Sequence, residues 1–221
     1  MFVSDYLDPM MPVLKTDDTV KMALEWMSEL HTDQLAIVDK RIYEGIISEE
    51  ELLDKNRTRS RISDFKLSFK EIFIAENRHI FEAIRLMNLN KLKLIAVLDE
   101  QNLFSGLITR EELLKAFATI TNSNENGAVM VLQAAANNYS LTEIARIVEE
   151  NGSKILSVFV SPVPNQPQQI FITLKISTNE LTSIVSSFER YRYLVYITFT
   201  ETLNTENQRQ RYEALMKYLE M

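Results

Sequence analysis

Two short motifs carry most of the chemistry this sequence offers: Ser48-x-x-Glu51 and Thr109-x-x-Glu112. A hydroxyl followed three residues later by a carboxylate is a capping box. The hydroxyl bonds the N3 amide while the Glu reaches back to the cap amide. The charges beside the two motifs differ. Ser48 is followed by Glu49, Glu50 and Glu51, Thr109 by Arg110, Glu111 and Glu112. No catalytic constellation accompanies them. His31 and His79 belong to no metal-ligand spacing and no nucleophile–base arrangement. There is no Cys, and four Gly leave little room for a phosphate loop. The many carboxylates show no spacing that singles out an acid/base pair. The chemistry on offer is binding, and an enzyme is not expected.

These motifs sit in a sequence that is written twice. Val3-Ser4-Asp5-Tyr6 returns as Ile62-Ser63-Asp64-Phe65, and Gly45-Ile46-Ile47-Ser48 returns as Gly106-Leu107-Ile108-Thr109. Each copy opens with a short apolar strand, over Met11–Leu14 and Glu71–Ile74. A helix follows, with apolar positions Val20, Ala23, Leu24 and Met27 in one copy and Ile80, Ala83, Ile84 and Met87 in the other. Both sets fall at i, i+3, i+4, i+7, one helical face. Two brief buried strands come next: Leu35–Val38 with Gly45–Ile47, and Ile95–Leu98 with Gly106–Ile108. The motifs then begin a second helix.

This order, with each last strand ending in Gly-x-hydrophobic-(Ser/Thr), resembles the cystathionine-β-synthase (CBS) domain in tandem. The pair covers residues 3–54 and 62–117. The resemblance implies two clefts for an adenosine-type ligand: AMP, ADP, ATP or S-adenosylmethionine. It implies that Ser48 and Thr109 contact phosphate and that Glu51 and Glu112 hold ribose hydroxyls. Leu35, Ala36, Ile95 and Ala96 would wall the purine. A helix N-terminus does favour an anion, and a carboxylate accepts from two hydroxyls. Both acidic positions are Glu where the family usually has Asp, and the capping box explains the same residues without a ligand. Arg110 in place of Glu49 makes the Thr109 cleft the better phosphate site. Between the copies, Lys55, Arg57, Arg59 and Arg61 read as a solvated loop.

The Asn-rich stretch Thr121–Gly127 marks a boundary. Beyond it, strand, helix, strand, strand, helix and strand follow over 127–201, the ferredoxin-like order. After a CBS pair this looks like an ACT domain, and the whole is similar to the acetoin-utilisation CBS–ACT family. The fold class is therefore α+β. The ACT resemblance places a ligand loop at Asn137 and Asn138, without the usual Gly. Residues 204–221 carry a helical stripe of Tyr212, Leu215, Met216 and Leu219.

The net charge of −7 speaks against general nucleic-acid binding, which needs basic surface. No apolar run is long enough to span a bilayer and no signal segment is evident, so a cytoplasmic location is expected. No metal site and no required cofactor are expected. Both resemblances imply a homodimer. Met22 and Trp26, off the core stripe of their helix, are its candidate interface. The expected function is a regulatory sensor of an adenine nucleotide or S-adenosylmethionine, signalling to the ACT-like domain or to a protein partner. The competing expectation is a dimeric scaffold with unoccupied clefts.

Overall fold

A computed structural model describes residues 1–53 and 60–200. The basic positions Lys55, Arg57 and Arg59 and the stripe over 204–221 lie outside the described residues. The chain divides into two compact units, Met1–Phe117 and Ala118 onward.

The first unit repeats one plan. Helix α1 (Val20–Glu29) leads to the antiparallel strands β1 (Gln34–Asp39) and β2 (Ile42–Ser48), then to α2 (Glu49–Leu53). The second copy runs β3 (Phe73–Ala75), α3 (Ile80–Asn90), β4 (Leu94–Leu98), β5 (Phe104–Thr109) and α4 (Arg110–Ile120). The stripes do what their spacing requires: Val20, Ala23 and Met27 are buried, as are Ile80, Ala83 and Met87. Thr19 and His79 cap the two helices with side-chain acceptors.

The opening strands are unequal. β3 runs parallel to β4, but in the first copy only Leu14 bridges to Ile37. Leu14 N–H donates to Ala36 O at 2.9 Å and Val38 N–H to Leu14 O at 2.8 Å. The strand expected over Met11–Leu14 is thus reduced to one residue. Pro12 has no N–H to give a ladder, which stops it from extending.

The two copies exchange their first residues. Val3 N–H donates to Arg78 O at 2.9 Å, and Ile62 N–H donates to Asp18 O at 2.9 Å. Each Ser-Asp turn therefore packs on the other copy, and Val3 and Ile62 are fully buried there. The exchange brings backbone very close to the strands. A Cβ on Gly45, whose φ is +141°, would lie 2.7 Å from Ser68 O, and one on Gly106 would lie 3.0 Å from Leu7. At Gly45 only glycine admits that approach, whereas at Gly106 a Cβ would ask only the Leu7 side chain to shift.

The second unit runs β6 (Ala128–Ala135), α5 (Leu141–Glu150), β7 (Ile155–Val163), β8 (Gln166–Ile176), α6 (Thr182–Arg190) and β9 (Leu194–Phe199). The sheet order β7-β8-β6-β9 is ferredoxin-like. Met130 and Leu132 of β6 and Ile172, Leu174 and Ile176 of β8 alternate inward. They meet Ile144, Ile147 and Val148 of α5 and Ile184 and Phe188 of α6. The helices therefore cover one sheet face, as period-2 alternation against period-3.6 stripes dictates.

Candidate ligand sites

Ser48 ends β2 and Glu51 lies in the first turn of α2. Their geometry is a complete capping box: Ser48 N–H donates to Glu51 Oε2 at 2.8 Å, and Glu51 N–H donates to Ser48 Oγ at 3.3 Å. Ser48 Oγ–H also donates to Oε2, at 2.9 Å. The other carboxylate oxygen, Oε1, accepts from Ser68 Oγ–H at 2.7 Å. Both oxygens of Glu51 are thus engaged inside the chain.

The equivalent residues of the second copy are used differently. Glu112 N–H donates to Thr109 Oγ1 at 3.4 Å, which is half a capping box. The Glu112 carboxylate turns outward to Lys115, whose ammonium pKa is raised by that hydrogen bond and charge. Thr109, only 2% exposed, donates its hydroxyl proton to Asp8 Oδ2 at 3.0 Å. Asp8 is fixed in turn. Its Oδ1 accepts from Met10 N–H and Met11 N–H, and its own N–H donates to Leu107 O at 2.7 Å. Ser68 makes the matching backbone bond to Ile46 O at 3.2 Å. Asp8 and Ser68 are therefore equivalent positions, 60 residues apart. A neutral hydroxyl stands at one site and a carboxylate at the other.

Arg110 does not join Thr109. Its Nε–H donates to Leu92 O at 3.0 Å, and it borders an open apolar groove with Leu92, Leu113 and Leu114. Leu35, Ala36, Ile95 and Ala96 are all fully buried. With no accessible surface, they offer no wall to a ligand in this arrangement. An open depression of about 630 Å³ lies beside Ser48, between Asp33, Gln34, Glu49 and Glu50. Its lining is acidic, so its potential is unfavourable to phosphate. Met22 and Trp26 are half-buried and pack against the core of the first copy.

In the second unit, Asn137 and Asn138 are exposed on the β6–α5 loop. They border a cavity of about 620 Å³ with Gln133, Glu143, Arg192 and Tyr193. Tyr193 O–H donates to Glu143 Oε2 at 2.7 Å. Burial, then this bond to a carboxylate, pushes the Tyr193 pKa up to about 12. Ser140 caps α5 by accepting from Glu143 N–H at 3.2 Å.

Sequence reasoning passed over Asp8 and Ser68 because each acts on the other copy's motif. Their sequence signal is weak, since Asp8 follows Tyr6 by two residues whereas Ser68 follows Phe65 by three, so the repeat does not align them. Among the described residues, no group of three or more His, Asp or Glu could hold a metal ion. Among them too, no helix is long and apolar enough to cross a membrane.

Comparison with known proteins agrees with this architecture. Residues 62–119 match the family model of the CBS domain. A glycine betaine/carnitine/choline transport ATP-binding protein of Bacillus subtilis is 25% identical over 115 residues, 51% of this chain. The chain spans 30% of that relative's length. A CBS domain pair/ACT domain protein from Thermotoga maritima is 23% identical with a TM-score of 0.50, over 54% of this chain and 98% of that one. CBSX2 in complex with AMP is 22% identical with a TM-score of 0.46, over 54% and 97%; CBSX2 is a CBS-pair protein from Arabidopsis thaliana.

Proposed function

We propose that this chain, whose residues 62–119 match the CBS-domain family model and whose first unit repeats that plan, is a regulatory tandem CBS-domain protein that senses an adenosine-type ligand at the cleft around Thr109. The bound state passes to the ferredoxin-like unit or to a protein partner, in a cytoplasmic homodimer. The observation that carries this reading is the inequality of the two sites. Both carboxylate oxygens of Glu51 accept from Ser48 and Ser68, whereas among the described residues the Glu112 carboxylate pairs with surface Lys115, a partner it can exchange for a ribose.

The charge at that cleft also orders the ligands. Asp8 puts a carboxylate beside Thr109, while the Glu112 carboxylate is paired with Lys115. A phosphate about 5 Å from the Asp8 carboxylate loses roughly 1–3 kcal/mol, depending on local dielectric. The cationic sulfonium of S-adenosylmethionine gains from the same field. The expected order is therefore S-adenosylmethionine above AMP, with ADP and ATP below. Coupling works by differential affinity for two arrangements of the pair. The cavity at Asn137 and Asn138 is a second ligand position. Glu143 and Arg192 on its border offer opposite charges to a zwitterion of amino-acid size.

The test is thermal unfolding with each ligand in turn. A ligand at a hundred times its dissociation constant adds about 2.7 kcal/mol of stability. A stabilisation that follows the stated order supports the proposal. No shift with any of the four favours a scaffold with unoccupied clefts, a reading that rests on the closed Glu51 cap and the four fully buried strand residues.

A further inference from the structure

The tripeptide Glu-Asn-Gly occurs twice, as Glu125-Asn126-Gly127 and as Glu150-Asn151-Gly152. An asparagine before glycine carries a chemistry of its own. The glycine nitrogen, with no side chain beside it, can reach the Cγ carbon of the asparagine. It does so only where both groups are at liberty, and here the two copies of the tripeptide differ.

Asn151-Gly152 is locked at the C-terminal cap of α5. The Asn151 side chain is half-buried, and its amide donates to Ile147 O at 2.8 Å and to Ser187 Oγ at 3.1 Å. Gly152 N–H donates to Glu149 O at 2.9 Å. The nitrogen that would attack and the amide that would leave are both held.

Asn126-Gly127 is held at neither group. Asn126 is exposed in the connection from α4 to β6, and its side chain makes no hydrogen bond to the described residues. Gly127 N–H meets no acceptor among them either. The Gly127 carbonyl oxygen accepts from Lys175 Nζ at 3.1 Å. That ammonium sets a positive field beside the glycine, which favours the nitrogen anion formed as the N–H proton leaves.

We propose that Asn126 is a site of self-modification, converted by the Gly127 nitrogen into aspartate and isoaspartate. Gly127 N attacks Asn126 Cγ, and the new N–Cγ bond closes a five-membered succinimide. The Cγ–Nδ2 bond breaks, and ammonia leaves with the proton that Gly127 N gives up. Water then opens the ring. Addition at Cγ restores the ordinary backbone with an aspartate side chain. Addition at the main-chain carbonyl carbon leaves isoaspartate, whose backbone runs through Cβ and is one atom longer. Water is the only co-reactant, and nothing is oxidised or reduced.

The position gives the products an effect. Gly127 is buried at φ +146°, and a Cβ on it would stand 2.1 Å from Ile176 O. The next residue, Ala128, pairs with Ile176 where β6 meets β8. Isoaspartate lengthens the backbone just before this tight approach and works against that pairing. Either product adds one negative charge to a chain already at −7.

The test is peptide mapping of the full-length protein incubated at mildly alkaline pH, once folded and once in urea. Mass spectrometry reads the amide-to-acid increment at each asparagine, and chromatography separates isoaspartyl from aspartyl peptides. In the folded chain Asn151 must first break its hydrogen bonds. It is expected to react about tenfold to a hundredfold more slowly than Asn126. In urea the two rates should converge, because the tripeptides are identical. Asn126→Gln, which needs a larger and slower-closing ring, should abolish the signal at 126 and leave that at Asn151. Equal rates at the two sites in the folded chain overturn the proposal. So does an Asn126 that stays unmodified in the folded chain over times at which the chain in urea has reacted.

Discussion

Asp33 and Lys93 hold equivalent positions in the two repeats, 60 residues apart, and pair with each other, Oδ2 to Nζ at 2.8 Å. Their backbones act alike: Asp33 O accepts from Glu49 N–H at 2.8 Å and Lys93 O from Arg110 N–H at 3.0 Å. A perfect duplication would set identical charges against each other at this point. Divergence to opposite signs turns that repulsion into attraction. Both side chains are about half exposed, so the coupling in a double-mutant cycle is expected at about 0.2–1 kcal/mol. Lys93→Asp should destabilise, and Asp33→Lys with Lys93→Asp should restore most of the loss. Urea unfolding at low and high salt checks this. A coupling that does not weaken with salt would contradict the ion-pair account.

Glu51 and Glu112 are matched in sequence but unmatched in work. Glu51→Ala removes the acceptor of Ser48 N–H, Ser48 Oγ–H and Ser68 Oγ–H. Removing a charged acceptor from partly buried donors should cost about 1–3 kcal/mol. Glu112→Ala loses an exposed pair with Lys115 and should cost less than about 1 kcal/mol. Thermal unfolding of both variants without ligand decides. Equal losses would mean that the two sites are not structurally distinct.

Much of this was legible in the repeat. The apolar spacing of Val20, Ala23 and Met27 and of Ile80, Ala83 and Met87 located both helix faces, because a 3.6-residue period leaves one buried stripe. Alternation along Ile170–Ile176 located a half-covered strand, and the element order gave the ferredoxin-like topology. What escaped were relations between the copies. The Ser-Asp turns pack on the opposite repeat, and no local pattern announces which of two similar surfaces a segment will choose. Arg110 was read as a phosphate ligand from its charge alone, but its guanidinium meets Leu92 O. Side-chain direction at a helix start depends on neighbours that the sequence does not order. Pro12 was visible, and its missing N–H was the signal that the first strand would be cut short.

Tyr43 gives the fold an alkaline limit. It is 5% exposed and donates its hydroxyl proton to Phe69 O at 3.0 Å. Burial raises its pKa above the ordinary tyrosine value. The unfolded chain releases this proton near pH 10 while the folded chain still holds it. The stabilisation is therefore full below about pH 10 and falls as pH rises toward the folded pKa. Tyr43→Phe should lose about 1 kcal/mol at neutral pH through the unmade hydrogen bond. It should also flatten the decline above pH 10. Urea unfolding across that range checks both, and an unchanged alkaline slope would remove Tyr43 from the account.

Asp8 sets the charge beside Thr109. Its Oδ2 accepts the Thr109 hydroxyl proton at 3.0 Å, while Oδ1 holds Met10 N–H at 2.9 Å and Met11 N–H at 3.2 Å. Asp8→Asn keeps an amide oxygen for the two backbone donors and turns an NH2 toward Thr109, whose hydroxyl then accepts. The loop is retained and one negative charge is removed. At about 5 Å and a dielectric between those of surface and water, that charge is worth about 1–2 kcal/mol to a phosphate, or about five- to thirtyfold in affinity. AMP and ATP should therefore bind Asp8→Asn more tightly by this factor, and S-adenosylmethionine should bind it less tightly. Ser68→Asp makes the reverse change at the equivalent position, where it also sets a carboxylate against Glu51, and should not raise affinity for either phosphate ligand. Calorimetry at two salt concentrations separates the charge effect, which weakens with screening, from any change of shape. AMP affinity that is the same for wild type and Asp8→Asn would show that phosphate does not approach Thr109.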